Sequence, residues 1–434
     1  MVDLGIEGGV VITSGGRSRA NVYVSDGKIS AVTADFMPAK ERVDASGLFV
    51  MPGMIDAHVH FMDPSATERE DFITGSRAAA GAGVTTVIEH THSGPVRAAA
   101  DLQDKAAYLH GRSHVDFALG AHAWVDMTDQ VGPVWRAGAA FIKAFTCTTH
   151  GVPGHNPAQL LTLLQACAGV GATCLIHCEE ESLTAAAAAA LHHAHREDGG
   201  VIPAWRNREA ELVAVATAAE LARSSGARVV VAHASNQEVL THARPACLIE
   251  SCPQYLMLLE AEVLDKGSLR KFTPPARAQT QADLDAMWAA LADGSIDYIS
   301  SDHAPATIEQ KRAGSIWDVH FGLPGIDTTF AVLLDGAHRG LITYERVVEV
   351  YSEKPAAIYG LGPSKGSLKP GADADIVIVD PNVRWTVKDS DIRSKAGWSP
   401  YSGRTFVGRA VRTFLRGKQP EEGSGRFLAG PGLL

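Results

Sequence analysis

The stretch Met54-Ile55-Asp56-Ala57-His58-Val59-His60-Phe61 alternates apolar residues with Asp56, His58 and His60. This is the period-2 pattern of a β-strand, so the two imidazoles aim at one point from one face. Neutral imidazole is a common metal ligand. Four further strand-like runs carry chemistry-bearing side chains. Phe141-Ile142-Lys143-Ala144-Phe145 sets a lysine among apolar residues, and Cys174-Leu175-Ile176-His177-Cys178-Glu179 and Val230-Val231-Ala232-His233-Ala234-Ser235 each hold a histidine. Ile299-Ser300-Ser301-Asp302-His303 reaches an aspartate. Each alone has a simpler explanation: a hydrogen-bonded core histidine, a lysine leaning its stem on the core, an aspartate capping the next segment. Burying all of them together is costly unless they share partners, and a metal cluster supplies those partners.

The surrounding elements must bring five strands to one place. From Gly53 to about Gly362 strands and helices alternate, with strands near 54–61, 83–89, 115–121, 139–145, 173–178, 228–234, 246–251 and 297–301. Helical patterns lie between most of them, including 68–82, 157–169, 208–225 and 281–292. Eight such units predict a (β/α)8 barrel over residues 53–364, with its site at the C-terminal strand ends, where these side chains fall. The runner-up, a doubly wound open sheet, lacks a Gly-x-Gly-x-x-Gly turn after any strand. Residues 1–52 read as short strands at 9–13, 20–24, 28–32 and 48–51, with Asp26-Gly27 as a hairpin turn. Residues 365–421 contain more strands, around 376–380, 385–387 and 411–415. Neither end can bury a sheet alone, so a small β-sandwich built from both termini is expected, followed by a loosely held Gly-rich tail over 422–434.

Composition narrows the partners. The 434 residues are 46% hydrophobic and 20% charged, as in an ordinary globular chain with ample core. Thirty-nine basic against 49 acidic residues give a formal charge of −10, which argues against nucleic-acid and anionic-membrane partners. No apolar run approaches the ~20 residues of a membrane span. The N-terminus has neither the basic start nor the apolar core of a signal peptide. The six cysteines form no Cys-x-x-Cys pair and sit in apolar runs, which suits reduced, buried thiols in a cytoplasmic protein.

Motifs along nearly the whole chain carry a resemblance. Pro52-Gly53-Met54-Ile55-Asp56-Ala57-His58-Val59-His60, Phe141-Ile142-Lys143, His177-Cys178-Glu179 and His233-Ala234-Ser235 are joined by Glu250-Ser251-Cys252-Pro253-Gln254-Tyr255. Thr273-Pro274-Pro275-Ala276-Arg277, Ser301-Asp302-His303 and Gly371-Ala372-Asp373-Ala374-Asp375 complete the set. The chain resembles the cyclic amidohydrolases of the amidohydrolase superfamily: the dihydroorotase, hydantoinase, dihydropyrimidinase and allantoinase group. The resemblance implies two divalent metal ions, zinc suiting the ligands best and manganese, cobalt, nickel or iron able to fill them. His58, His60 and Asp302 would hold one metal and His177 and His233 the other, bridged by Lys143 as a CO2-derived carbamate. Burial lowers the lysine pKa from about 10.4 and frees the amine for that chemistry. Metal-assisted ring opening follows, with Asp302 as proton shuttle.

The resemblance also implies substrate contacts at Thr148, Ser251, Thr273 and His303, and a homo-oligomer, tetramer or dimer. His303 is as readily an orienting or structural residue. Dihydroorotases carry arginine where this chain has Met62, followed here by Asp63, and dihydropyrimidinases carry tyrosine where it has Thr148. Ser399-Pro400-Tyr401-Ser402-Gly403-Arg404 resembles allantoinases, and Gln254 resembles certain L-hydantoinases. The expected substrate is therefore an uncharged five-membered ureide or imide ring, as in allantoinases and hydantoinases. Dihydroorotase- or dihydropyrimidinase-like chemistry is the alternative, and a non-catalytic binding relative is a further one. Glu89-His90-Thr91-His92 departs from the group's usual Met-Pro after the glutamate. His192, His193 and His195 read as a solvated helix face, whereas His150 and His155 lie in a loop near the expected pocket.

Overall fold

Alternating apolar residues near both termini make strands, and the computed structural model, which describes residues 1–91 and 93–433, gathers these strands into two sheets. The first part of the chain supplies β1 (Val2–Glu7), β2 (Val10–Thr13), β3 (Gly16–Arg19), β4 (Asn21–Ser25), β5 (Lys28–Thr33), β6 (Ala39–Asp44) and β7 (Phe49–Pro52). The middle supplies β8 (Met54–Val59), β9 (Val84–His90), β10 (Asp116–His122), β11 (Ile142–Phe145), β12 (Thr173–His177), β13 (Arg228–Val231), β14 (Leu248–Ser251) and β15 (Tyr298–Ile299). The last two are β16 (Ile376–Thr386) and β17 (Thr405–Phe414).

One sheet runs β5-β4-β1-β6 and the other β17-β16-β7-β2-β3, so strands from both ends of the chain share a sheet. Leu4, Ile6, Val22 and Ile29 meet Val50, Ile376, Ile378 and Phe414 in one buried cluster, the core that neither end could form alone. The sequence reading missed β1, β3 and β6. The last two are outermost strands with charged, exposed side chains, the composition that protects sheet edges and hides them from an apolar-pattern search.

β8 to β15 pair in sequential parallel order, and a Val59–His303 bridge with the His60 N–H donating to the His303 carbonyl at 2.8 Å closes the ring. Sequential order and closure rule out the doubly wound sheet. Helices cover the barrel over Pro157–Val170, Arg208–Ser225 and Gln281–Asp293, close to where the pattern places them. The first helix begins at Phe72 rather than at 68, because Asp71 caps it by accepting from Thr74 N at 2.7 Å.

The sixth and eighth strands are shorter than their apolar runs. β13 stops two residues before His233 (φ 39°), and β15 ends before Asp302 (φ 48°). Both residues sit in the sparsely allowed left-handed region, where backbone strain concentrates at functional sites.

The end of the chain is held tightly, contrary to the loose tail expected. Arg426 N donates to Asp116 Oδ1 at 2.8 Å, Leu428 N to the Phe117 carbonyl at 2.7 Å and Gly430 N to the Gly138 carbonyl at 2.8 Å. The glycines permit this approach: a Cβ on Gly425 would stand 2.0 Å from the Val115 carbonyl oxygen.

Candidate metal centre

His58 and His60 leave β8 side by side at its C-terminal end, Lys143 stands on β11 and His177 ends β12. His233 and Asp302 follow β13 and β15 on their strained turns. These six residues line one cleft of about 390 Å³ together with Phe145, His150, Thr273, Ala304, Phe321 and Gly322.

Hydrogen bonds on the far side of each ring fix which nitrogen faces the cleft. His58 Nδ1 bonds Glu250 Oε1 at 2.7 Å, and His60 Nδ1 bonds the His90 carbonyl at 3.1 Å. In the neutral rings both Nδ1 atoms therefore donate, so both Nε2 atoms are the acceptors turned to the cleft. These face Asp302 Oδ1 at 3.2 and 3.4 Å. A cation would satisfy the three atoms together. In the other half, His177 Nε2 bonds Glu179 Oε2 at 2.7 Å, so its Nδ1 is bare and faces His233 Nε2 at 3.0 Å. A shared proton or a shared cation must hold those two rings together. The donor set fits two divalent metals of the kind imidazole and carboxylate bind.

Burial governs the ionisation of the cluster. It holds the imidazoles of His58, His60 and His233 well below the usual histidine range, with neighbouring cationic groups adding to the effect. Lys143 is lowered by burial too, as a lysine must be to react as a free amine. Burial pushes Asp302 up to about 7 against the pull of Lys143.

The expected substrate contacts divide. Thr273 lines the cleft and donates to Glu179 Oε2 at 2.7 Å. Thr148 is exposed and outside the cleft lining, its backbone N–H held by Glu181. Ser251 is buried with its hydroxyl spent on the Ala234 carbonyl at 2.8 Å. His303 accepts from Gly325 N and Ile326 N at 3.1 and 3.3 Å and turns its other nitrogen to Glu70 at 3.4 Å, an arrangement that anchors the loop. Asp63, the carboxylate beside Met62, is satisfied by Arg112 at 3.0 Å and Tyr108 at 2.8 Å, so it does not confront the cleft as a free charge.

Glu250 and Glu179 behind the rings received no role in the sequence reading. A carboxylate in the apolar strand Leu248-Ile249-Glu250, at the depth of His58, was the available signal. His90 is a second omission. It is buried and stacks on His58 with centroids 3.5 Å apart, and its Nε2 bonds the Ala57 carbonyl at 3.1 Å. His92 lies outside the described residues. Two other acidic or thiol groups resemble ligand sets but already hold a cation of the chain: Arg206 lies against Cys147 and Glu179, and Lys365 against Asp116, Asp373 and Asp375.

Residues 49–419 match the amidohydrolase family. The chain belongs to the amidohydrolase family. The allantoinase of Rubrobacter xylanophilus is 34% identical over 99% of this chain and 96% of its own length. The dihydroorotase of Halobacterium salinarum is 34% identical over 92% and 94%, and the L-hydantoinase of Paenarthrobacter aurescens 31% over 99% and 98%. The solved L-hydantoinase (dihydropyrimidinase) from Arthrobacter aurescens superposes with a TM-score of 0.94 at 30% identity, covering 99% of this chain and all of that one. Like these amidohydrolases, the chain is a hydrolase of carbon–nitrogen bonds in cyclic amides. No helix among the described residues is long and apolar enough to cross a membrane.

Proposed function

We propose that the protein opens an uncharged five-membered ureide or imide ring, as an allantoinase or hydantoinase does, with two divalent metals, zinc by preference. The observation that carries the reading is the convergence of His58, His60, Lys143, His177, His233 and Asp302 on one cleft, with Asp302 Oδ1 against His58 and His60 and His177 against His233. Met62 supports the choice of ring, because it offers no bidentate partner at the position where dihydroorotases carry arginine.

His58, His60 and Asp302 would hold one metal, His177 and His233 the second, and Lys143 both. As the free amine, Lys143 Nζ would add to CO2 and lose a proton, giving a carbamate that would serve as an anionic ligand. Bound there, the metals supply a water acidic enough to attack near neutral pH and polarise the scissile carbonyl. The Asp302 carboxylate would accept a proton from the attacking water and return it to the ring nitrogen as the carbon–nitrogen bond breaks. Thr273, held by Glu179, presents its hydroxyl oxygen to the ring. The protein is further proposed to be a cytoplasmic homo-oligomer, dimer or tetramer.

Purified enzyme should carry close to two metals per chain and turn over allantoin or a 5-substituted hydantoin with higher kcat/KM than dihydroorotate or dihydrouracil. A higher kcat/KM for dihydroorotate would overturn the ring assignment. Fewer than one metal per two chains after growth with zinc would favour a non-catalytic relative. Lys143→Ala should lose most activity and regain part of it with a short carboxylic acid. An unmodified lysine beside two bound metals in a crystal structure would refute the carbamate.

A further inference from the structure

Nine lysines and arginines are buried among the described residues, and they fall into three groups. Lys105, Arg206, Arg270, Arg277 and Lys365 each meet a carboxylate, at Glu89, Glu179, Glu262, Glu211 and the Asp116–Asp373–Asp375 group. Lys143 belongs to the metal centre. The remaining three, Arg69, Lys271 and Lys311, have no carboxylate within ion-pair distance among the described residues; Lys311 lies on the segment 304–322, which helps to wall the cleft, and the other two contact it.

Their contacts place them. Lys311 Nζ donates to the carbonyls of Lys271, His320 and Gly322 at 2.9, 2.9 and 3.1 Å, which uses all three of its protons. Lys271 Nζ donates to the Trp317 carbonyl at 2.9 Å and stands 4.5 Å from the centre of the Phe321 ring, a lining residue. Arg69 is 8% exposed, and its Nε donates to the Pro305 carbonyl at 3.0 Å, one residue beyond the lining residue Ala304. Its terminal nitrogens, with four more N–H bonds, have no protein acceptor among the described residues. The carboxylates that act on them lie beyond ion-pair distance, Glu68 for Arg69 and Asp318 for Lys271. Lys271 and Lys311 turn to carbonyls of this segment, whereas Arg69 keeps N–H donors open beside it, where they can receive an anion.

We propose that the substrate's ring carries an exocyclic substituent ending in a carboxylate, which Arg69 receives at the cleft mouth while Lys271 and Lys311 brace the segment beside it. The inference rests on the cyclic-amide reading above and adds the chemical class of the substituent. The ring stays uncharged at the metals, and the anion sits on the side chain, away from Met62. A guanidinium pairs bidentately with a carboxylate, a contact that a neutral amide of the same shape cannot reproduce.

The test compares 5-(2-carboxyethyl)hydantoin with its neutral isostere 5-(2-carbamoylethyl)hydantoin on the metal-loaded enzyme. The acid should have at least about tenfold higher kcat/KM, carried mainly by KM and shrinking as salt is raised. Arg69→Gln should bring the acid down to the amide's level and leave the amide within about twofold, with metal content unchanged. Arg69→Lys should keep part of the preference. Equal kcat/KM for the two in the wild type, or equal losses for both in Arg69→Gln, would overturn the anion site while the cyclic-amide reading stands. If neither ring opens, nor allantoin, both fall together.

Discussion

The geometry separates two kinds of work for the residues of the centre, holding a cation and moving a proton. Asp302 is proposed to do both, because its Oδ1 lies against His58 and His60 while the side chain keeps 12% of its surface open to the cleft. Asparagine keeps an oxygen ligand but cannot shuttle a proton. Asp302→Asn should therefore cost roughly a thousandfold or more in kcat while most of the metal remains. Turnover above a tenth of wild type would contradict the shuttle. Glu250 works through His58. It accepts from His58 Nδ1, from His233 N at 3.2 Å and from the Tyr298 hydroxyl at 2.7 Å, so one carboxylate orients ligands of both proposed metals. Glu250→Gln is expected to weaken metal retention about 10- to 100-fold in chelator competition. Unchanged retention with lost activity would point to some other role.

At the scale of elements, the barrel places the centre by fixing the ends of its first and last strands against each other. Asp56 lies wholly inside and accepts from Ser301 N at 3.0 Å, from His58 N at 3.3 Å and from the Tyr351 hydroxyl at 2.8 Å. A single side chain thus sets the turn that carries Asp302 beside the strand that carries His58. Asp56→Ala leaves those donors unsatisfied and should cost about 2–4 kcal/mol by urea unfolding, with metal content falling as well. Full metal content in that variant would show that the turn is set elsewhere. Much of this was legible in the sequence. Period-2 runs located the eight strands, and the polar interruptions at 58, 60, 143, 177, 233 and 302 marked six residues that share one cleft. The second layer was less legible. Glu250, Glu179 and Asp56 act through partners distant in the chain, and a lone carboxylate in a strand does not reveal which ring it will meet. Thr148 stands next to the right strand, but loop direction, which no local pattern encodes, turns it from the cleft, and Ser251 ends β14 with its hydroxyl taken by the Ala234 carbonyl. The glycines of the last residues read as looseness, whereas the structure uses them for close backbone approach.

At the scale of the whole molecule, one buried cation ties the terminal sandwich to the barrel at the end opposite the site. Lys365 Nζ reaches Asp375 at 2.7 Å and Asp373 at 2.9 Å, both just before β16, and Asp116 at the start of β10. Asp116 also receives Arg416, which follows β17, and Arg426 N from the chain's last segment. Asp375 passes the connection on, since its carbonyl accepts from Gly53 N at 2.8 Å, immediately before the strand of His58 and His60. Three carboxylates cannot share so small a space without a counter-charge, and burial alone pushes Asp375 upward while Lys365 opposes it. Lys365→Met fills much of the same volume and strands Asp375, with Arg416 left to serve Asp116 and Lys28 to serve Asp373. The expected loss is about 3–5 kcal/mol, read as a lower urea midpoint with an unchanged slope. Because the centre lies at the other end of the strands, kcat per folded molecule should stay within about twofold and the metal content should hold. A stable variant would mean that the acids protonate without harm. A stability loss matched by a loss of metal would mean that the sandwich sets the geometry of the site as well as sealing the barrel beneath it.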